Sequence, residues 1–354
     1  MNCLETDLPE RMWAALATRY GGPEVIEIMD VPLPTLKAGM LMVRVEAATV
    51  NSADARTRGL QAGEPLRTLM RLVLGLRRPR QPILGTTYAG TVVAVDKAVT
   101  DFKIGDRVFG STPGMSFGCH AQYVAVPQNS AVARIPEGAD PGEIVSLVFG
   151  GATALFFLKK AGASPGTTNA ALGTIGKNAT APGNPAKNAT PPGTIGKNAA
   201  TLGNPAKNAL IYGASGAVGS MAVQIARNLG MRVTGVAGGK NEELVLSLGA
   251  DLFLNYTRPD FRLPQAQYDL VFDAVGKLPK SSAKQALKPG GVYVTVGGAS
   301  VSKETRQHME RLAGWYVSGD LKPVIHERLP FDDIREAHRI VDTGHKRGNV
   351  ILFM

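Results

Sequence analysis

Three glycines at three-residue spacing follow a short apolar run. Leu210-Ile211-Tyr212 leads into Gly213-Ala214-Ser215-Gly216-Ala217-Val218-Gly219, after which Val218, Ala222, Ile225, Ala226 and Leu229 recur at helical spacing as far as Gly230. A strand, a glycine turn and a helix in that order form a site for an anion. Gly216 lets the backbone approach a diphosphate, and the unpaired N–H groups of the helix start face it. Gly219 permits close packing of helix on strand. Gly213, Ser215, Ala217 and Val218 belong to the same turn and are candidate contacts of a dinucleotide.

The βα alternation continues downstream. Strands are expected at 232–236, 252–254, 268–273 and 291–296, with a helix at 241–248, and the last two strands end in the turns Val275-Gly276 and Gly297-Gly298. That succession predicts an α/β fold with a Rossmann-type, doubly wound parallel sheet. An acid at the end of the second strand would hold a ribose 2′-hydroxyl. Here Ala237-Gly238-Gly239-Lys240-Asn241 stands there, with no acid before Glu242. Small residues leave room for a 2′-phosphate and Lys240 supplies a countercharge, which favours NADPH over NADH.

Composition narrows the function classes. The chain has 354 residues, 44% hydrophobic and 19% charged, the profile of a folded protein large enough for two domains. No uninterrupted apolar run reaches the length of a membrane span, and the best candidate, 144–158, is broken by Gly150 and Gly151. Acids at Glu5, Asp7 and Glu10 argue against a signal peptide, and two cysteines, Cys3 and Cys119, make neither a disulfide framework nor a thiolate zinc site. A cytosolic, cytoplasmic enzyme without membrane partners is therefore expected. The net charge of +10 includes four lysines (Lys177, Lys187, Lys197, Lys207) from a single repeat. A second basic cluster, Arg77, Arg78 and Arg80, has no interleaved aromatics, so a nucleic-acid partner is not expected.

The repeat runs GTIGKNATAP, GNPAKNATPP, GTIGKNAATL, GNPAKNALIY, in ten-residue units poor in large apolar side chains. Such a composition cannot offset chain entropy and reads as a surface loop rather than a small solenoid. Asn178 and Asn188 begin glycosylation patterns that no export signal accompanies. Cutting the repeat out at about 171–209 joins SPGTTNA to LIYGASG, so the repeat reads as an insertion ahead of the first Rossmann strand. That places it at the end of the sheet opposite the ligand.

Beyond these readings the sequence resembles the zinc-independent medium-chain dehydrogenase/reductase family, close to the quinone oxidoreductases. The resemblance spans residues 12–352 apart from the repeat. It is carried by RYGGPEVIEI (19–28), TVNSADARTRG (49–59), ILGTTYAGTVVAV (83–95), FKIGDRVFG (102–110), HAQYVAV (120–126), GGATAL (150–155), IYGASGAVG (211–219), LGAD (248–251), FDAVG (272–276) and KRGNVIL (346–352). It implies a GroES-like, β-rich catalytic domain from residues 1–135, a Rossmann domain over 136–318 and a C-terminal return over 319–354. Where zinc-dependent relatives place a cysteine and a Gly-His-Glu run, this chain has Asn51 and Thr86-Thr87, poor zinc donors, and its five histidines do not pair at ligand spacing. The resemblance further implies catalytic roles for Asn51 and Thr153 beside a nicotinamide, Gly297 and Gly298 at its edge, Tyr256 near the adenosine phosphate, and approach of Arg347-Gly348-Asn349 to the cofactor. Val275 joins the same set. The implied reaction is hydride transfer from NADPH to a quinone, enone or other carbonyl compound, the oxyanion being held by hydrogen bonds rather than metal. Zinc-free alcohol oxidation and non-catalytic NADPH binding are the alternatives.

One departure stands out. After Gly298 many relatives carry a further strand that joins two subunits, whereas residues 299–316 here are polar and helix-like. A homodimer is open to question on that ground.

Overall fold

The computed structural model describes residues 4–5, 8–60, 66–114, 116–163, 206–297 and 302–354. Among them lie fifteen strands and eight helices. The first part of the chain contributes β1 (Leu4–Glu5), β2 (Arg11–Ala17), β3 (Ile26–Pro32), β4 (Met40–Val50), α1 (Ser52–Gly59), α2 (Leu66–Leu74), β5 (Thr87–Val95), β6 (Arg107–Ser111), β7 (Tyr123–Pro127) and β8 (Ala131–Arg134). α3 (Pro141–Lys160) then precedes β9 (Asn208–Tyr212), α4 (Ala217–Asn228), β10 (Arg232–Ala237), α5 (Glu242–Ser247), β11 (Leu252–Asn255), β12 (Tyr268–Asp273), α6 (Lys280–Ala286) and β13 (Leu287–Thr295). α7 (Arg306–Val317), β14 (Ile325–Pro330), α8 (Ile334–Asp342) and β15 (Asn349–Phe353) complete the chain.

Alternation builds the β-rich part. Leu41, Val43 and Val45 of β4 point one way and bury against Val92, Val108, Val124 and Val126, as the two-residue period of a strand requires. β4 is the central strand, pairing with β5, β7 and β15, and the sheet runs β14-β15-β4-β5-β6-β8. The chain's end thus returns to its beginning: Val350 sits opposite Val50, and α8 buries Ile334, Ala337 and Val341 beside them.

The second sheet is parallel throughout, in the order β11-β10-β9-β12-β13. Its central strands are apolar along their length, Ala209-Leu210-Ile211 and Val271-Phe272 being buried, because helices cover both faces. α3 and α4 pack on one face through Ile144, Val148, Met221 and Ile225, and α6 packs on the other through Ala283 and Ala286. The strand order reverses between β9 and β12, the point at which a crevice opens beyond the carboxyl ends. α3 is long and apolar enough to cross a bilayer, but 78% of its most apolar window is buried in the protein, and it is a core helix here.

The α/β architecture expected from the sequence is present, both the Rossmann-type sheet and the β-rich part. Each expected strand is found within a few residues, and the expected helix at 241–248 is α5. Among the described residues no strand follows β13 in its sheet. The polar segment instead forms α7, which turns Met309, Leu312 and Ala313 inward against α3. Gly298 and Cys3 lie outside the described residues, as does nearly all of the repeat, so the loop and solenoid readings of it do too.

β9 begins at Asn208, two residues before the expected start, because Asn208 and Ala209 already pair with Arg232 and Val233 of β10. Ala163, ahead of the insertion, and Lys207, near its end, border one small recess with Met231 and Asp269, at the amino ends of β10 and β12. An excision should therefore stop short of β9. Removing 171–205 is expected to leave the affinity for a dinucleotide within about twofold, since a shorter surface connection alters chain entropy only slightly. Isothermal titration of the excised protein checks this, and a large loss of affinity would refute the placement of the insertion.

Candidate active site

The turn after β9 is shaped by two close approaches. Gly213 has φ +82°, and a Cβ there would lie 2.1 Å from Val275 Cγ2. A Cβ on Gly219 would lie 2.0 Å from the Gly213 carbonyl oxygen, so the first turn of α4 rests directly on the turn that precedes it. Gly216 is the N-cap of α4 in extended conformation, with no side chain to satisfy the first N–H groups of the helix. Those donors are left to face an anion. Across the crevice, Asp273 ends β12 and is buried. Its carboxylate accepts from the N–H groups of Val275, Gly276 and Leu278 (3.1, 2.8 and 3.0 Å) and from Thr295 Oγ1 (3.1 Å). It thereby shapes the loop that forms the opposite wall. The sequence reading did not single Asp273 out, although an acid closing an apolar strand before Ala-Val-Gly was a usable signal.

A cavity of about 580 Å³ opens at this switch point. It is bordered by Gly213, Gly216, Ala217, Val218 and Val275 from the Rossmann side, by Thr153 of α3, and by Ser52 and Ala53 at the start of α1. Phe149 and Phe157, four residues either side of Thr153 on α3, border it too. Spacing of four on a helix could have pointed to both rings. Arg56, Lys277 and Lys346 bring positive charge to the same wall. Asp342 is there as well, but it is engaged by Arg58 at 2.5 Å. The turn, the donors and the cations together fit a dinucleotide.

The other candidates do not border the cavity. Gly238, Gly239, Lys240 and Tyr256 gather at the carboxyl ends of β10 and β11, outside the cavity. Lys240 is exposed, and its carbonyl accepts from Arg347 Nη2 at 2.6 Å. The Tyr256 ring lies 6.1 Å from that of Tyr212. Ser215 offers its carbonyl to the N–H of Gly348 at 2.9 Å. Gly297 packs on Gly276, where a Cβ would come within 2.8 Å.

Two candidates sit differently from expectation. Asn349 is turned inward, its Nδ2 donating to the Val324 carbonyl, so the tail reaches the glycine turn through Gly348 instead. Asn51 is buried and does not border the cavity. It caps α1: Oδ1 accepts from the N–H of Ala53 (2.9 Å) and its own N–H donates to Asp54 (2.9 Å). Its Nδ2 donates to Thr86 Oγ1 at 3.2 Å. With both ends of the amide engaged, Asn51 positions the start of α1.

The tertiary fold also brings together two histidines far apart in sequence. His120 and His338 are buried edge to face with ring centroids 5.6 Å apart. His120 Nε2 lies 3.1 Å from the Thr49 carbonyl, and burial pushes His338 well below the usual histidine range. Among the described residues no group of three or more His, Cys, Asp or Glu comes together to hold a metal.

Lys346 was not anticipated. Its ammonium is withdrawn from water, donates to the Gly348 carbonyl, and burial pulls its pKa down to about 8. In the unfolded chain the group stays protonated to near 10.5. Between these values the unfolded state binds the extra proton, so this residue's contribution makes stability rise with pH from about 8 towards 10. Urea denaturation across that range should show the rise in the native protein and a flatter profile in Lys346→Met. A second expectation concerns the turn. Gly219→Ala should cost about 1–3 kcal/mol through overpacking and weaken dinucleotide binding, read by thermal melting and by titration.

Comparison with known proteins agrees with this architecture. A signature described as the alcohol dehydrogenase GroES-like domain matches residues 37–137, and two described as zinc-binding dehydrogenase match 217–318 and 299–352. An Arabidopsis thaliana chloroplastic protein named NADPH-dependent alkenal/one oxidoreductase is 26% identical over 99% of this chain and 81% of its own. A chloroplastic quinone-oxidoreductase homolog of Spinacia oleracea is 27% identical over 94% of this chain and 95% of its own. The solved quinone oxidoreductase of Coxiella burnetii superposes with a TM-score of 0.73 at 21% identity, covering 97% of this chain and 99% of that one. The relatives named as chloroplastic, with others named as mitochondrial, overturn the expectation of a cytoplasmic protein. Acids near the N-terminus were a poor guide to location, since they bear on export and not on entry into an organelle. The chain belongs to the medium-chain dehydrogenase/reductase family of nicotinamide-dependent oxidoreductases, among its quinone oxidoreductase-like members.

Proposed function

We propose that this protein is an NADPH-dependent, zinc-independent reductase of quinones, enones or related conjugated carbonyl compounds. The observation that carries the proposal is the single cavity at the β9/β12 switch point, which the open N-terminus of α4 shares with Thr153, Phe149 and Phe157. Relatives named as alkenal/one and quinone oxidoreductases support the acceptor class.

The N–H groups of Ala217 and Val218 and the positive wall of Lys277 and Lys346 receive the diphosphate. Lys240, exposed where an NAD site would carry an acid, meets the 2′-phosphate. Thr153 and the two phenylalanines form an apolar slot with one hydroxyl, suited to a flat conjugated acceptor beside the nicotinamide. When bound, the reduced nicotinamide supplies the hydride. The acceptor also takes up one proton, which water entering the open cavity provides. No metal is needed to fix the acceptor. The two positions where a zinc enzyme would place ligands are Asn51 and Thr86, and they are hydrogen-bonded to each other at 3.2 Å, a donor pair that zinc does not favour.

Thermal shift with NADPH and NADH tests binding, and NADPH oxidation across a quinone and enone panel tests turnover. NADPH is expected to stabilise the protein more than NADH and to be consumed with at least one acceptor. Lys240→Ala should lower NADPH affinity roughly tenfold and leave NADH affinity unchanged, the effect of losing one charge-assisted contact. An unaltered preference in that variant would remove Lys240 from the site. Binding without turnover on any acceptor would reduce the protein to a cofactor-binding one.

A further inference from the structure

α2 is the one helix of the β-rich part that turns most of its surface to water. Only Met70 and Leu74 are half-buried among its described side chains. Leu69, Leu72 and Val73, at i, i+3 and i+4, are 56%, 56% and 46% exposed, and Leu76 just beyond the helix is 66% exposed. Leu69, Leu72 and Val73 form an aliphatic stripe on one side of the helix, and Leu76 follows just past its end. Scattered single exposures of this kind are ordinary, but three on one helical face with a fourth just beyond are not.

The charges around the stripe are all of one sign. Arg67, Arg71, Arg77, Arg78 and Arg80 are exposed, and no Asp or Glu occurs between Glu64 and Asp96 in the sequence. None of the five forms an ion pair among the described residues. Arg80 bends back to the Leu72 carbonyl at 3.2 Å, which keeps its guanidinium beside the stripe. Tyr20 ties the end of α2 to the body of the protein by donating to the Gly75 carbonyl at 2.7 Å, so the helix is held in place rather than hanging free.

We propose that α2 is an interfacial anchor that docks this enzyme on a bilayer carrying anionic lipids. Aliphatic side chains enter the boundary of the acyl chains, and the arginines meet the lipid phosphates within a Debye length of the surface. Charge complementarity selects this occupant. A second copy docking through the same face would set five arginines against five. A nucleic acid would satisfy the arginines and leave the leucines in water. The sequence-based expectation of no membrane partner rested on the lack of a spanning segment, and a helix lying in the interface needs none. The proposal is independent of the acceptor and cofactor assigned above.

The test is co-sedimentation of the full-length protein with phosphatidylcholine vesicles, with and without phosphatidylglycerol. Binding is expected only with the anionic lipid, and it should fall steeply as salt is raised. Arg77→Gln with Arg78→Gln should weaken partitioning about thirtyfold. Leu69→Gln, Leu72→Gln and Val73→Gln together should abolish it, while the melting temperature and NADPH oxidation stay unchanged because all three side chains are exposed. Equal binding to neutral vesicles, no binding to either, or retention by both sets of variants would overturn the proposal. So would analytical ultracentrifugation showing a dimer that the triple variant dissolves, since the stripe would then belong to a second copy.

Discussion

The site depends on one junction, the pairing of the C-terminal tail with the glycine turn. Gly348 donates its N–H to the Ser215 carbonyl, and Gly216 and Gly348 pair as an isolated parallel bridge. Gly348 has φ +56°, and a Cβ on it would come within 2.0 Å of the Val324 carbonyl oxygen, so no other residue fits. Through this junction the β-rich part, whose last strand is β15, is joined to the first turn of the Rossmann sheet. Lys346 is carried to the cavity wall by the same segment, and Arg347 reaches across to the Lys240 carbonyl. The cavity exists because two pieces of chain more than a hundred residues apart share one set of backbone hydrogen bonds.

Around that junction the polar groups work chiefly as scaffolding. Asp273 spends its carboxylate on three N–H groups and the Thr295 hydroxyl, which holds the far wall of the crevice. Asn51 spends its amide on α1 and Thr86, and that capping sets Ser52 and Ala53 at the cavity edge. Arg58, near the end of the same helix, is buried and takes up Asp342. Among the described residues, the one acid bordering the cavity is thereby neutralised, and Arg56, Lys277 and Lys346 leave the wall positive. A site of that sign attracts a cofactor bearing several phosphate charges and raises its local concentration.

Much of this was legible in the chain, because the signals were local. The apolar runs 210–212 and 268–273 end in glycine turns, and a parallel strand buried on both faces must read that way. Gly213 and Gly219 are dictated by close approach within a single turn, while Gly216 leaves the start of α4 without a side chain. The polar composition of 299–316 already announced α7 in place of a sixth strand. Residue type alone did not disclose the partners. Asn51 read as a group beside the ligand, and its side chain caps α1 and bonds Thr86. Asn349 read as a cofactor contact, and its side chain donates to the Val324 carbonyl.

The sequence by itself determined the alternation of strands and helices, the glycine turn with its open helix start, and the absence of an acid where an NAD site would have one. These are properties of neighbouring residues, fixed by covalent geometry and periodicity. The tertiary structure alone decided that Lys346 reaches the cavity, that His120 meets His338, and that Leu69 and Leu72 of α2 face water. Each of these depends on where distant segments come to rest against one another. Burial, charge environment and exposure are properties of the folded surroundings, and no single stretch of chain contains them.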